Sequence, residues 1–171
     1  MANIVNLYNE VVFDADVVSV QTGYAATPLD DGYVCKLAGL VTGERDLYTV
    51  TAPADITADD VVIVVGAEVY IDADGFRVPK HNKTKWTYAG DRPVRAYRPR
   101  TGMRFLISNT AISGTAVKDQ YIVTQDSDFG LAASATAGSG RVVFQVEEVN
   151  VSIPVGKTLV SGAIARVIKG L

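Results

Sequence analysis

Val61-Val62-Ile63-Val64-Val65 is the longest strongly apolar run in the chain; Gly66 ends it and Glu68 follows closely. Its β-branched residues are stiff at χ1 and pack well on a pleated surface, so the run reads as part of a strand over Val61–Ile71. It is far shorter than the roughly 20 apolar residues a membrane-spanning helix needs. The N-terminal Met1-Ala2-Asn3-Ile4-Val5-Asn6 lacks the basic region of a secretory signal.

Outward from this run, no long window repeats apolar residues at helical spacing. Short β-branched and aromatic runs bounded by Gly, Pro, Asp and Asn recur instead, which is the strand-and-turn signature. The further candidate strands are Ile4–Tyr8, Glu10–Phe13, Val17–Gln21, Tyr33–Leu40, Asp46–Thr51, Phe76–Pro79, Lys85–Tyr88, Val94–Tyr97, Met103–Asn109, Gln120–Thr124, Arg141–Val151 and Thr158–Lys169. Asp72-Ala73-Asp74-Gly75 reads as a hairpin turn, with Gly75 free to adopt positive φ. Val142, Phe144 and Val146 alternate on one face, whereas Val149, Val151 and Ile153 are out of phase with them. A bulge at Glu147-Glu148 would absorb that shift and keep both sets facing the core. The small residues between Asp126 and Gly140 read as a flexible loop or short surface helix, and Pro53–Asp60 as a connection with a possible helical turn. The expectation is an all-β chain: a single-domain β-sandwich or partly open β-barrel with long loops and little helix.

The 171 residues suit one domain, and at about 150 residues a domain buries roughly 68–70% of its unfolded surface. With 48% hydrophobic residues and a formal charge of −3, neither disorder nor an overall basic, nucleic-acid-coating chain is indicated. The 26 valines dominate, while a single cysteine excludes an internal disulfide and a cysteine-based zinc site. Cys35 reads as a small core residue of a chain made in a reducing cytoplasm.

The small net charge conceals a partition. Residues 1–76 carry 13 acidic and 2 basic side chains, residues 77–104 carry 1 and 9, and residues 105–171 carry 5 of each. The basic stretch is Arg77, Lys80, Lys83, Lys85, Arg92, Arg95, Arg98, Arg100 and Arg104, with Trp86, Tyr88 and Tyr97 interleaved. It reads as a hairpin region that pairs locally with the acidic first half, as a patch that docks on an acidic protein surface, or as a phosphate-tracking, base-stacking strip. The acidic balance of the chain argues against the third.

Catalytic motifs fail on spacing. Gly156-Lys157-Thr158 lacks the earlier glycine of a phosphate loop, because Val151 stands there. Asp72-x-Asp74-Gly75 lacks the later ligands of a calcium loop. Gly138-Ser139-Gly140 is not a nucleophile elbow, and His81 is the sole histidine, set between lysines in a loop context. No acid–base pair, metal set or cofactor site is nominated, and the expectation is a protein that is not an enzyme.

The compact, valine-, alanine- and threonine-rich β character is carried by Met1–Tyr8, Gly39-Leu40-Val41-Thr42-Gly43 and Leu47–Pro53. In composition and element order the chain resembles the decoration (cement, auxiliary head) proteins of tailed bacteriophages. That resemblance implies a structural virion protein on the outer capsid surface, with the major capsid protein as partner, a possible homo-oligomer, and no membrane. The N-terminal segment, residues 1–12, contains Ile4, Val5, Leu7, Tyr8, Val11 and Val12, enough apolar surface to add a strand to a neighbour or to form an edge strand within the chain. Residues 13–171 form the β domain with its basic region at 77–104. The expected partner-binding residues are these six and Arg77, Lys80, Lys83, Lys85, Trp86, Arg92, Arg95, Arg98, Arg100 and Arg104. The alternative is a carbohydrate-binding head-fibre or adhesin module with Trp86, Tyr88 and Tyr97 as a stacking platform.

Overall fold

The computed structural model describes residues 4–7, 17–21, 28–65, 69–71, 77–79, 93–155 and 158–170. In chain order the strands are β1 (Val5–Leu7), β2 (Val17–Gln21), β3 (Val34–Leu40), β4 (Leu47–Thr51), β5 (Val61–Val64), β6 (Val69–Ile71) and β7 (Arg77–Pro79). They continue with β8 (Val94–Tyr97), β9 (Arg104–Ser108), β10 (Ile112–Ser113), β11 (Tyr121–Thr124), β12 (Leu131–Ser134), β13 (Val143–Val155) and β14 (Thr158–Lys169). Asn109–Ala111 form a single 3-10 turn.

The all-β chain combines a closed barrel, β2-β4-β3-β5-β8, with an open sheet, β1-β9-β14-β13-β11-β12-β10, and a hairpin of β6 and β7. The strand period of two explains how barrel and sheet share one body. On β5, Val62 and Val64 point into the barrel with Val18, Val20, Cys35, Val50, Val94 and Ala96. Val61 and Ile63 point outward, into a second core with Phe105, Ile107, Phe144, Val146, Ala165 and Val167 of the sheet. The uninterrupted apolar run is thus a strand buried on both faces. Phe105 and Phe144 meet edge-to-face, centroids 5.7 Å apart at 88°, a favoured aromatic geometry.

β1 belongs to the sheet: Val5, Asn6 and Leu7 oppose Ile107, Leu106 and Phe105 of β9. Ile4 and Val5 are fully buried within this chain, and the Ser108 N–H donates to the Ile4 carbonyl at 2.8 Å. Gly32 (φ +83°) lies against Val5; a Cβ there would sit 2.8 Å from Val5 Cγ2, so only glycine permits this approach of loop to strand.

The β13–β14 pairing shifts register three times: between Val143 and Phe144 the extra residue is on β14, and β13 carries the other two. The first of these two, at Glu147, is the expected bulge and keeps Val149 on the core side. The second lies between Glu148 and Val151, where Asn150 takes φ +59°, and it reverses the next residues. Ile153 therefore packs on the opposite face of the sheet, with Ile4, Leu106 and Val160, rather than on the core face. The small-residue stretch also differs from expectation. Leu131–Ser134 is strand β12, held between β11 and β10, because Ala132 and Ala133 need little room when hydrogen bonds on both sides supply the order. Pro53–Asp60 does contain one turn, closed by the Asp59 N–H donating to the Asp55 carbonyl at 2.9 Å. Glu10–Phe13, Lys85–Tyr88 and the Asp72–Gly75 turn lie outside the described residues, although β6 and β7 pair as that turn requires.

Candidate functional site

The basic stretch is not one hairpin. Arg77 lies in β7, opposite Ile71; Arg95 lies in the barrel; Arg104 lies in the open sheet. From Arg95 to Arg104 the stretch follows the chain out of the barrel and into the sheet. On β8, Val94 and Ala96 fill the barrel, so the alternate positions Arg95 and Tyr97 face outward. Arg95 is exposed, opposite Ser19 of β2, whereas Tyr97 is covered by the shared core. Tyr97 is consequently removed from any exposed aromatic platform: its outward position faces the sheet rather than solvent.

The crossover from Arg98 to Met103 is pinned by its backbone. The Met103 N–H donates to the Arg100 carbonyl at 3.0 Å, and the Gly102 N–H to the Val167 carbonyl of β14 at 2.8 Å. Pro99 is buried between them, which leaves Arg98 half-buried and Arg100 exposed. Arg98 reaches Asp60 at 3.7 Å, one instance of the basic stretch pairing with the acidic first half. Lys36 and Asp59 make a shorter pair at 2.7 Å on the same side of the barrel. The Lys36 ammonium first, and then the N–H groups of Asp55 and Ala54, hold the Asp59 carboxyl below its ordinary value.

Arg104 enters a three-strand charge cluster. It directly opposes Arg166 across β9 and β14, a like-charge juxtaposition that is unfavourable by itself. The Glu147 bulge resolves it: Glu147 Oε2 lies 2.9 Å from Arg104 Nε, and Oε1 lies 3.2 Å from Arg166 Nε. All three side chains remain partly exposed, so the cluster orients more than it stabilises.

Among the remaining expected contact residues, Ile4 and Val5 are used inside the chain, and Leu7 is placed by β1 opposite Phe105. Of the two readings of the N-terminal segment, the edge strand within the chain is the one that describes Val5–Leu7. Tyr8, Val11, Val12, Lys80, Lys83, Lys85, Trp86 and Arg92 lie outside the described residues, as do His81 and Tyr88. Arg166 and Glu147 were not among the expected contacts. Glu147 was foreseen as a bulge, but no sequence signal sets Arg166 beside Arg104.

Two further regions hold polar or reactive groups. An open groove of about 530 Å³ is lined by Ser19 of β2, by Glu44, Arg45 and Asp46, and by Pro93. Its charges have both signs and its mouth is wide, so it selects for no one ligand chemistry. Cys35 is sealed in the barrel, where burial pushes its thiol up to about 12 and leaves almost no thiolate at neutral pH. Tyr33, stacked on Phe129 at 5.4 Å, is raised by burial first and then by Asp30 and Asp128. Among the described residues, no group of three His, Cys, Asp or Glu side chains could hold a metal ion. No family model, curated protein or solved structure matches this chain.

Proposed function

We propose that this chain is a non-enzymatic structural protein that binds the outer surface of a phage capsid and strengthens the shell. The observation that carries the reading is the separation of charge: 13 acidic and 2 basic residues before position 77, then 9 basic and 1 acidic through position 104. Such polarity orients a docking encounter and favours an acidic patch on the partner. Arg95 on β8 and Arg100 on the barrel-to-sheet crossover are exposed, with their backbones hydrogen-bonded to Val65 and Met103. The partner is then a major capsid protein presenting carboxylates at its outer face, and the resemblance in composition to decoration proteins supports the same assignment.

The test is to mix purified protein with undecorated heads of a tailed phage and count bound copies. Saturable binding that weakens with salt is expected, and no saturable binding ends the proposal. Arg95→Glu with Arg100→Glu should reduce occupancy most at low salt, where charge is least screened. Unchanged occupancy in this variant removes the arginines from the interface.

A further inference from the structure

β13 and β14 run on past their neighbours as a two-stranded ribbon. β11 pairs with β13 only from Val143 to Gln145, and β9 pairs with β14 only from Gly162 to Arg166. β9 stops because the chain turns away at Asn109–Ala111, immediately after Ser108. Past Val146 on β13, whose N–H and carbonyl still meet Gln120 and Asp119, and before Gly162 on β14, each ribbon strand pairs with its partner on one side and has no strand on the other among the described residues.

The two open sides differ in chemistry. The β13 side carries Glu148, two register shifts and Pro154, which lacks an N–H. These are the devices by which sheets prevent indiscriminate pairing. The β14 side, Thr158-Leu159-Val160-Ser161, has regular register, no charge and no proline. Leu159 stands 68% exposed, on the side of the strand that carries Ala163 into the core but past the end of that core. Val160 points the other way and packs with Ile153. An edge with no strand beside it among the described residues, flanked by an exposed apolar side chain, is suited to an added strand.

We propose that Thr158–Ser161 of β14 receives an extended, uncharged segment of a partner protein by strand addition, in line with β9. Edge-to-edge pairing of two copies is the other geometric possibility. Four residues on each side fall far below the roughly 1,200–2,000 Å² of a stable interface, so the edge suits a segment whose other contacts a larger partner supplies. The inference goes beyond capsid binding and does not depend on it: the partner segment is defined by backbone geometry, whatever protein bears it.

The experiment is amide hydrogen exchange on the full chain, with a short acetylated peptide of alternating threonine and valine as probe. The control is the same peptide N-methylated at alternate residues, which keeps its side chains and loses backbone donors. At a probe concentration about ten times its Kd, exchange at the outward amides of Thr158–Ser161 should slow about tenfold, with no change on the outer side of β13. Leu159→Lys, at an exposed site that leaves the fold intact, should weaken the probe about tenfold, because an edge lysine opposes pairing. The inference is overturned by absence of protection, by equal protection from the N-methylated peptide, or by unchanged affinity in Leu159→Lys. Protection that rises with protein concentration alone would also overturn it, assigning the edge to a second copy. Peptide protection without binding to heads would leave the edge inference standing and remove the capsid proposal.

Discussion

The barrel and the open sheet are built from the same valine-rich alternation, yet they meet their surroundings differently. The barrel closes on itself, so each of its five strands has neighbours on both sides, and its interior is sealed around Cys35, Val62 and Val64. The sheet shares one face with the barrel and has in addition a reverse face with Arg104, Glu147 and Arg166, and a ribbon whose two outer sides differ and meet no further strand among the described residues. Closure removes edges, and what cannot close must be blunted or used. The proposed strand addition therefore falls on the sheet, while Arg95 of the barrel and Arg100 of the crossover are exposed.

The largest expected effect breaks the union of the two regions. Phe144→Ala removes the ring packed against Phe105 in the shared core and should cost about 3–5 kcal/mol, read from denaturant unfolding. If barrel and sheet are one cooperative unit, a single transition shifts; two separated transitions would show that the barrel folds without the sheet. Next is the ribbon's root. A Cβ on Gly162 would lie 2.5 Å from the Ile107 carbonyl oxygen and 2.6 Å from Ile153 Cδ1, so Gly162→Ala should cost about 1–3 kcal/mol by overpacking. Compensating Ile153→Val in the same chain should recover only part, because the carbonyl clash persists; full recovery would show that the side chain alone sets the constraint.

A smaller effect sharpens the contrast on the sheet's reverse face. Glu147→Ala leaves Arg104 opposite Arg166 without their shared carboxylate and should cost about 0.5–1 kcal/mol at low salt, shrinking as salt rises. A loss independent of salt would point to the bulge backbone instead. The smallest concerns the barrel side. The carboxyls of Asp59 and Asp55 are held below their ordinary 3.8, Asp59 chiefly by Lys36 and Asp55 chiefly by the Thr57 hydroxyl. Their contribution is present above the unfolded value and lost as pH falls through the lowered folded value. Thermal stability should therefore decline below about pH 4, and Asp59→Asn should flatten part of that decline. An identical acid profile in the variant would remove Asp59 from the account.

Strand positions were largely legible because period-two alternation and turn residues are local signals: Val17–Gln21, Val94–Tyr97 and Thr158–Lys169 coincide with their expected bounds. Leu131–Ser134 escaped because alanine and serine carry little strand signal of their own, and pairing with β10 and β11 supplied what propensity did not. The bulge at Glu147 was readable as a change of phase. The second shift was not, since phase alone could not say to which side Ile153 would turn. Composition singled out the arginines as candidates, but not that Tyr97 would be covered or that Arg98 would meet Asp60.

Alternation, residue type and charge order lie along the chain, and by themselves they determined an all-β protein with buried valine strands and charges separated along the sequence. Partnership between distant strands does not lie along the chain. Which strands close and which run past their neighbours, and which arginine faces which, depended on loop closure, register and the volume available in a shared core. Tertiary structure alone decided those, because each is set by contacts between residues far apart in sequence.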